Sequence, residues 1–342
     1  MILPVTKYRR KGRKLAAWGG AVIILIIICA GVFHSQLGAV EPDTNEERPF
    51  IIKNGATPGE IARDLQSEGL IKSAASFMAY ARLSGNISKF KTGEYLVKPS
   101  QSIFEIVDML VKGRVVAVSF TIPEGLNLRE IAKVLDKQGI VAQEDFWRVE
   151  KEGDFNYSFL QGLPKDERRL EGYLFPDTYR ISKGMEPEKV IDMMLKRFEQ
   201  VYKKLPANKT NLSAREVVIL ASIVEGESKL DKERPVIAGV FLNRLKINMK
   251  LDADATVQYL FDEHKERVLY KDLEIDSPYN TYRYKGLPPG PIGSPGEASL
   301  RAVLEPAESK YYYFVAKKDG SGEHVFSKTL AEQGRAKKLL GY

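Results

Sequence analysis

The chain has 342 residues, with 52 lysines and arginines against 45 aspartates and glutamates, a formal charge of +7. Six of the bases (Lys7, Arg9, Arg10, Lys11, Arg13, Lys14) fall in the first 14 residues, which hold no acid, and the rest is close to neutral. The basic balance is therefore no argument for nucleic-acid binding, which needs cations clustered on a folded face. Cys29 is the single cysteine, so disulfides are excluded and the body must be held by its own core.

Leu15 to Phe33 is a run of 19 uncharged residues containing Ala21-Val22-Ile23-Ile24-Leu25-Ile26-Ile27-Ile28. At about 1.5 Å per residue it gives roughly 28 Å of helix, enough to cross a hydrocarbon core. The basic flank before it and His34-Ser35-Gln36 after it predict a cytoplasmic tail over 1–14 and a transmembrane helix over 15–37. The bulk of the chain then lies outside a bacterial inner membrane. A cleaved signal peptide has a shorter apolar core, of about 7–15 residues, and a small-x-small site that is missing here. An uncleaved single-pass anchor is the better reading.

Residues 38–50 read as a polar linker. An internal repeat follows. Residues 52–69 align with 122–139 at an offset of 70, with identities at Ile52, Gly55, Glu60, Ile61, Ala62, Leu65 and Gly69. Each copy predicts a strand, a glycine turn, a helix and a glycine stop. Between the copies, 91–97 reads as a strand and 102–111 as a helix. Small strand–helix units of this kind resemble LysM modules, which bind N-acetylglucosamine polymers; a packing unit without a sugar site is the equal alternative. This divides the body into a LysM-like subdomain over 51–118, a second repeat-like and connecting region over 119–205, and a C-terminal domain over 206–342. The class is α+β.

Leu170-Glu171-Gly172-Tyr173-Leu174-Phe175-Pro176-Asp177-Thr178-Tyr179 is dense in aromatics and carboxylates, and an amphipathic helix is predicted over about 187–205. Residues 213–225 open on an N-cap serine and are apolar almost all round, the mark of a buried helix. Glu225-Gly226-Glu227-Ser228 closes it. At about 100° per residue the two glutamates point roughly 200° apart, so one site receives only one of them. Glu227 follows Leu220, Ile223 and Val224 on its face, and a carboxyl against branched apolar side chains keeps its proton nearer neutral pH, as a glycosidase acid requires. A plain polar helix end is the bland alternative, although the C-terminus is electrostatically the wrong end for carboxylates.

Downstream, 238–245 reads as a helix, and 250–259 as an extended stretch with Asp254 and Gln258 on one side. Ser277 to Tyr284 and the proline-rich run Gly286 to Gly296 predict a stiff loop carrying tyrosines, whose faces suit pyranose rings. Residues 310–316 and 322–327 predict a hairpin. Asp252-x-Asp254 lacks the glycine and closing glutamate of a calcium loop. With His34, His264 and His324 alone, the sequence offers no multi-histidine zinc site.

The string Leu220-Ala-Ser-Ile-Val-Glu-Gly-Glu-Ser resembles the YceG-like endolytic murein transglycosylases. So do Val240-Phe-Leu-Asn-Arg-Leu, Tyr279-Asn-Thr-Tyr, Gly286-Leu-Pro-Pro-Gly-Pro-Ile, Tyr313-Phe-Val-Ala and the Leu170–Tyr179 run. Members usually carry Glu-Lys-Glu-Thr where this chain has Glu225-Gly226-Glu227-Ser228, and the glycine is expected to loosen the helix end. His324 falls on the family's Gly-x-His-x-Phe pattern. The resemblance implies a polysaccharide lyase that cuts the MurNAc-β-1,4-GlcNAc bond of nascent strands, leaves 1,6-anhydro ends and terminates strand elongation. One glutamate acts as acid and then base, the substrate's own hydroxyl is the nucleophile, and no metal or other cofactor is called for. Glu227 takes that role, with Glu225 as fallback. Glu171, Asn243, Asp254, Gln258, Tyr279, Asn280 and Tyr282 are candidate groove residues. The implied partners are peptidoglycan strands, the membrane and peptidoglycan synthases. A non-catalytic murein-binding scaffold and a hydrolase using both acids are the competing readings.

Overall fold

The structure is a computed structural model that describes residues 24, 26–163, 168–263, 265 and 267–342. The basic tail, most of the apolar run expected to span a membrane, and His264 lie outside the described residues. Ile24 and residues 26–36 are helical, with Ile24, Ile26, Ile27, Ile28 and Val32 exposed. No helix among the described residues is long and apolar enough to cross a membrane. The fold is mixed α+β and divides into two compact units, Met1–Val118 with Ser182–Gly184, and Ser119–Ile181 with Met185–Tyr342.

In the first unit, strand β1 (Arg48–Ile52) pairs antiparallel with β2 (Gly93–Val97), Phe50 opposite Tyr95. Alternation decides the faces: Phe50, Ile52, Tyr95 and Val97 are buried while Ile51 and Leu96 are exposed. Between the strands run α1 (Pro58–Ser67) and α2 (Ala74–Leu83), and α3 (Ile103–Lys112) follows β2. Ile61, Leu65, Phe77, Ile106 and Leu110 complete the core under the sheet.

The repeat in the sequence is a repeat in the chain's course. After β3 (Ala117–Thr121) come α4 (Leu128–Lys137) and α5 (Gln143–Glu152), and then β4 (Thr178–Ser182), which pairs with β3. Both copies therefore run strand, helix, helix, strand. Their first helices start at the same offset for the same reason. Thr57 and Asn127 each close a capping box with the glutamate three residues on, Glu60 and Glu130, and Gly55 and Gly125 make the preceding turn at φ 77° and 82°.

In the second unit α6 (Pro187–Tyr202) buries Val190, Met194, Leu195 and Phe198, and its Phe198 meets Phe159 and Tyr173 edge-to-face and stacks on Tyr202. Helix α7 (Ala214–Glu227) is the centre of this unit. Ser213 caps it with Glu216, and every residue from Val217 to Val224 is buried, as its all-round apolar sequence requires. It packs against α8 (Arg234–Lys246) and α10 (Glu297–Leu304). The stretch 250–259, expected to be extended, instead winds into a short helix, α9 (Asp254–Gln258). Thr256 turns its hydroxyl back onto Ala253 O within that turn, a local bond that period-2 reasoning does not anticipate. Strands β5 (Tyr313–Ala316) and β6 (His324–Ser327) form the C-terminal hairpin, followed by α11 (Leu330–Leu339).

Candidate active site

The loop 286–296 runs beside α7 and fixes where its end points. A Cβ on Gly172 would press on Pro291 and come within 3.1 Å of Val218 Cγ1. Ile292 N donates to Ser222 Oγ at 3.0 Å, and Gly296 N donates to Glu225 Oε2 at 2.9 Å. On its other side the loop pairs its backbone with the turn before α4: Gly125 N donates to Ser294 O at 2.8 Å and Ser294 N to Leu126 O at 2.9 Å. The loop's glycines are what let two backbones lie this close, since a Cβ on Gly293 would overlap the Gly125 carbonyl.

The two glutamates at the end of α7 go to different partners, as their helical phase demands. Glu225 is claimed on both oxygens. Oε1 accepts from Arg234 Nη1 at 2.8 Å and Oε2 from Gly296 N. Arg234 is 6% exposed, and its Nε donates to Asp231 Oδ1 at 2.9 Å while Nη1 also donates to Ser299 Oγ. This is a buried ion pair that ties α7 to α8, α10 and the stiff loop. Glu227 turns the other way, toward the start of α9, where the first-turn amides have no partner within that helix. Ala255 N donates to Glu227 Oε1 at 3.0 Å. Burial pushes the Glu227 carboxyl up to about 7; Asp254 reinforces this, and the Ala255 amide and the Arg244 guanidinium oppose it.

The glycine between them is packed rather than loose. Helix α7 runs unbroken through Glu227, Ser228 N closes onto Val224 O at 3.0 Å, and a Cβ on Gly226 would stand 2.6 Å from Ala255 Cβ. The expected loosening is absent: Gly226 lets α9 come close enough for its Ala255 amide to reach Glu227.

The other candidate residues separate into two groups. Asp254 and Tyr282 stay at the Glu227 site, joined by a Tyr282 hydroxyl donation to Asp254 Oδ1 at 2.5 Å. Asn243, Asn280 and Gln258 spend their amides on backbone carbonyls. Asn243 Nδ2 donates to Ser309 O and Tyr311 O, Asn280 Nδ2 to Leu273 O and Ile275 O, and Gln258 Nε2 to Lys265 O. They hold the loops that frame the site. Asn280 is fully buried, which fits that role.

Glu171 and Tyr279 form a separate locus. Glu171 is 3% exposed and accepts from Tyr259 Oη at 3.0 Å and from Leu128 N at 3.2 Å. Burial raises its carboxyl to about 7 against those two bonds and the nearby Arg129 and Arg168. It lines a pocket of about 510 Å³. Tyr279 is tilted against Tyr259, centroids 5.0 Å apart, under the Arg168 guanidinium. His324 Nδ1 lies 2.8 Å from Glu233 Oε2, and its backbone N donates to Oε1, so the histidine fastens β6 to the start of α8. Sequence reasoning missed Arg234, Arg244, Arg129 and Tyr259. Each works through a partner remote in sequence, and no local pattern marks such a residue. Arg244 lies inside the Val240–Leu245 motif, and its bonds to Tyr312 O and Leu251 O show it bracing the loop before α9.

Comparisons with known proteins identify the family. The YceG-like family matches residues 50–339. The endolytic murein transglycosylase of Bacillus subtilis is 35% identical over 91% of this chain and 90% of its own length. That of Streptococcus pneumoniae is 31% identical over 86% of this chain, which spans 60% of that longer protein. The crystal structure of a YceG-like protein of Listeria monocytogenes superposes with a TM-score of 0.55 at 32% identity, covering 86% of this chain and all of that one. With its buried helix, its Glu-Gly-Glu-Ser end and the loop that holds them, this chain belongs to the YceG-like family.

Proposed function

We propose that the chain is an endolytic murein transglycosylase in which Glu227 is the sole acid and base. The observation that carries this is the opposite condition of two glutamates on one helix end. Glu225 has both oxygens engaged by Arg234 and Gly296, whereas Glu227 has one oxygen on the Ala255 amide and a carboxyl that stays protonated near neutrality. An amide donating to Oε1 favours the proton on Oε2. From there it passes to the glycosidic oxygen as the C1–O bond of MurNAc breaks. The Glu227 carboxylate then takes the proton of the MurNAc C6 hydroxyl, and that oxygen closes on C1 to give the 1,6-anhydro ring. No water is consumed and Glu227 ends protonated. A two-carboxylate hydrolase would need a second free acid to activate water or attack C1. Glu225, fixed in its ion pair, does not supply one, which favours the lyase. Asp254, held by Tyr282, places negative charge near the positive charge that develops at C1.

The sugar-binding reading of 51–118 is supported by its strand–helix–helix–strand course, and the anchor over 15–37 by its uncharged run and basic flank. Together they would keep the enzyme on strands near the membrane, in reach of the synthases that make them. Incubating purified sacculi with the wild type should release glycans one water lighter than hydrolytic products, as mass spectrometry reads directly. Glu227→Gln should lower that release at least about a hundredfold, the usual contribution of a general acid. Undiminished anhydro product from the variant would remove Glu227 from the mechanism.

A further inference from the structure

Among the described residues, those lining the pocket above Glu171 carry more positive than negative charge, and the cations are not equally committed. Arg148 is neutralised by Asp145 at 3.0 Å and Glu188 at 2.9 Å. Arg129 is held by its Nη2, which donates to Tyr259 O at 2.5 Å and Phe261 O at 3.3 Å. The nearest carboxylate with which it pairs is the exposed Asp262, 3.9 Å away. Its Nε is buried with no hydrogen-bond partner among the described residues. Lys151 is exposed on α5 and makes no ion pair among the described residues. Arg168 lies over the Tyr259 and Tyr279 rings. Glu171 is the one carboxylate in the lining among the described residues, and both its oxygens are already occupied from inside the protein. Its raised pKa weakens it further as a counter-ion near neutrality. Trp147 and Leu128 add apolar wall beside the cations.

The glycan of murein is uncharged. Its anionic groups are the free carboxylates of the peptide stems that hang from MurNAc. A pocket of this size, with fixed guanidinium, mobile ammonium and an indole wall, matches a carboxylate attached to an organic skeleton better than a sugar ring. We propose that this pocket is a subsite for a stem-peptide carboxylate of the murein strand, with Arg129 and Lys151 as its anion-binding groups. The proposal rests on the transglycosylase reading for its choice of substrate. It adds that the enzyme reads the peptide as well as the glycan.

The test uses the full chain in detergent with Glu227→Gln to stop turnover, and calorimetry with the free stem peptide as titrant. The peptide should bind, and amidating its carboxylates should weaken binding about tenfold or more, the effect of losing one charge-assisted hydrogen bond. Lys151→Gln should weaken it similarly, and Arg129→Gln at least as much. Lys151 is exposed, so its variant carries the test if Arg129→Gln disturbs the Tyr259 backbone. Equal binding of the amidated peptide, an unchanged constant in Lys151→Gln, or tighter binding of inorganic pyrophosphate than of the peptide would overturn the assignment. Because the readout is binding, the two readings fail separately. A chain that binds the peptide but cuts no murein fails as an enzyme, and one that cuts murein but binds no peptide refutes the subsite.

Discussion

Glu227→Gln should make the protein more stable at pH 8 while disabling it. A Glu227 carboxyl raised from 4.5 to about 7 in the folded chain is one the fold holds against its preference for ionising. Below about pH 4.5 it is protonated both folded and unfolded, and it costs nothing. Between there and pH 7 the unfolded chain releases the proton and the folded chain keeps it, so stability falls as pH rises. Above pH 7 the whole penalty is present. At about 1.4 kcal/mol per pH unit the ceiling is roughly 3 kcal/mol, and water at the half-buried side chain lowers it to about 1–3 kcal/mol. Glutamine has nearly the same shape, its carbonyl can still accept from Ala255 N, and it has no charge to desolvate. For a unit of this size the gain is a rise in Tm of about 3–8 °C at pH 8, vanishing by pH 4. Glu171 has the same direction of shift, but it is present in both proteins and cancels in the comparison. Thermal melts of the pair across pH 4–8 measure the difference, and the wild-type rate should fall above about pH 7 as Glu227 loses its proton. An offset in Tm that does not change with pH would show that Glu227 is an ordinary solvated carboxylate, and the acid–base assignment would go with it.

Three further outcomes follow from the packing around that helix end. Glu225→Gln leaves a buried Arg234 with Asp231 and the more distant Glu124 as its carboxylate partners among the described residues, and should cost about 3 kcal/mol in urea unfolding, the low end for a broken buried pair. Gly293→Ala should destabilise far more than Gly296→Ala. The first drives a methyl into the rigid Gly125 carbonyl, and the second meets only the swinging end of the half-exposed Glu124 side chain; equal melting temperatures would contradict this. Gly226→Ala should cost about 1–3 kcal/mol and lower turnover by pushing α9 off Glu227. Ala255→Gly in the same chain should restore much of both, a coupling that a double-mutant cycle resolves.

What the sequence disclosed here was local or periodic. The repeat at 52–69 and 122–139 was legible because the same cap, turn glycine and helix stop recur, and each acts within a few residues of itself. The buried α7 was legible from composition, and the divergence of Glu225 and Glu227 from helical phase alone. The fates of Asn243, Asn280 and Gln258 were not legible. A side-chain amide serves a sugar hydroxyl or a backbone carbonyl equally well, and only the path of 309–311, 273–275 or 265 decides it for Asn243, Asn280 and Gln258. The helix at 254–258 was hidden because five residues carry too little periodicity to outweigh an alternating polar pattern. Arg234 could not be paired with Glu225 from sequence, because a turn of unpredictable course lies between α7 and α8.

The two glutamates also explain each other. A helix C-terminus disfavours carboxylates, and this one has two within three residues. The cost at Glu225 is met by a full countercharge in Arg234, and the side chain acts as a clamp on α8, α10 and the loop. Glu227 has no ion-pair partner among the described residues and receives one backbone amide, so its cost is met by keeping the proton. The clamp orients Glu227: fixing Glu225 fixes the rotation of the last turn, and with it the direction in which Glu227 points. Gly226 is the one position where that turn can also admit α9. The orientation of Glu227 therefore depends on a second carboxylate whose two oxygens are held by Arg234 and Gly296. Removing Glu225 should consequently lower turnover through misplacement of Glu227, with the pH at which activity falls shifting alongside it.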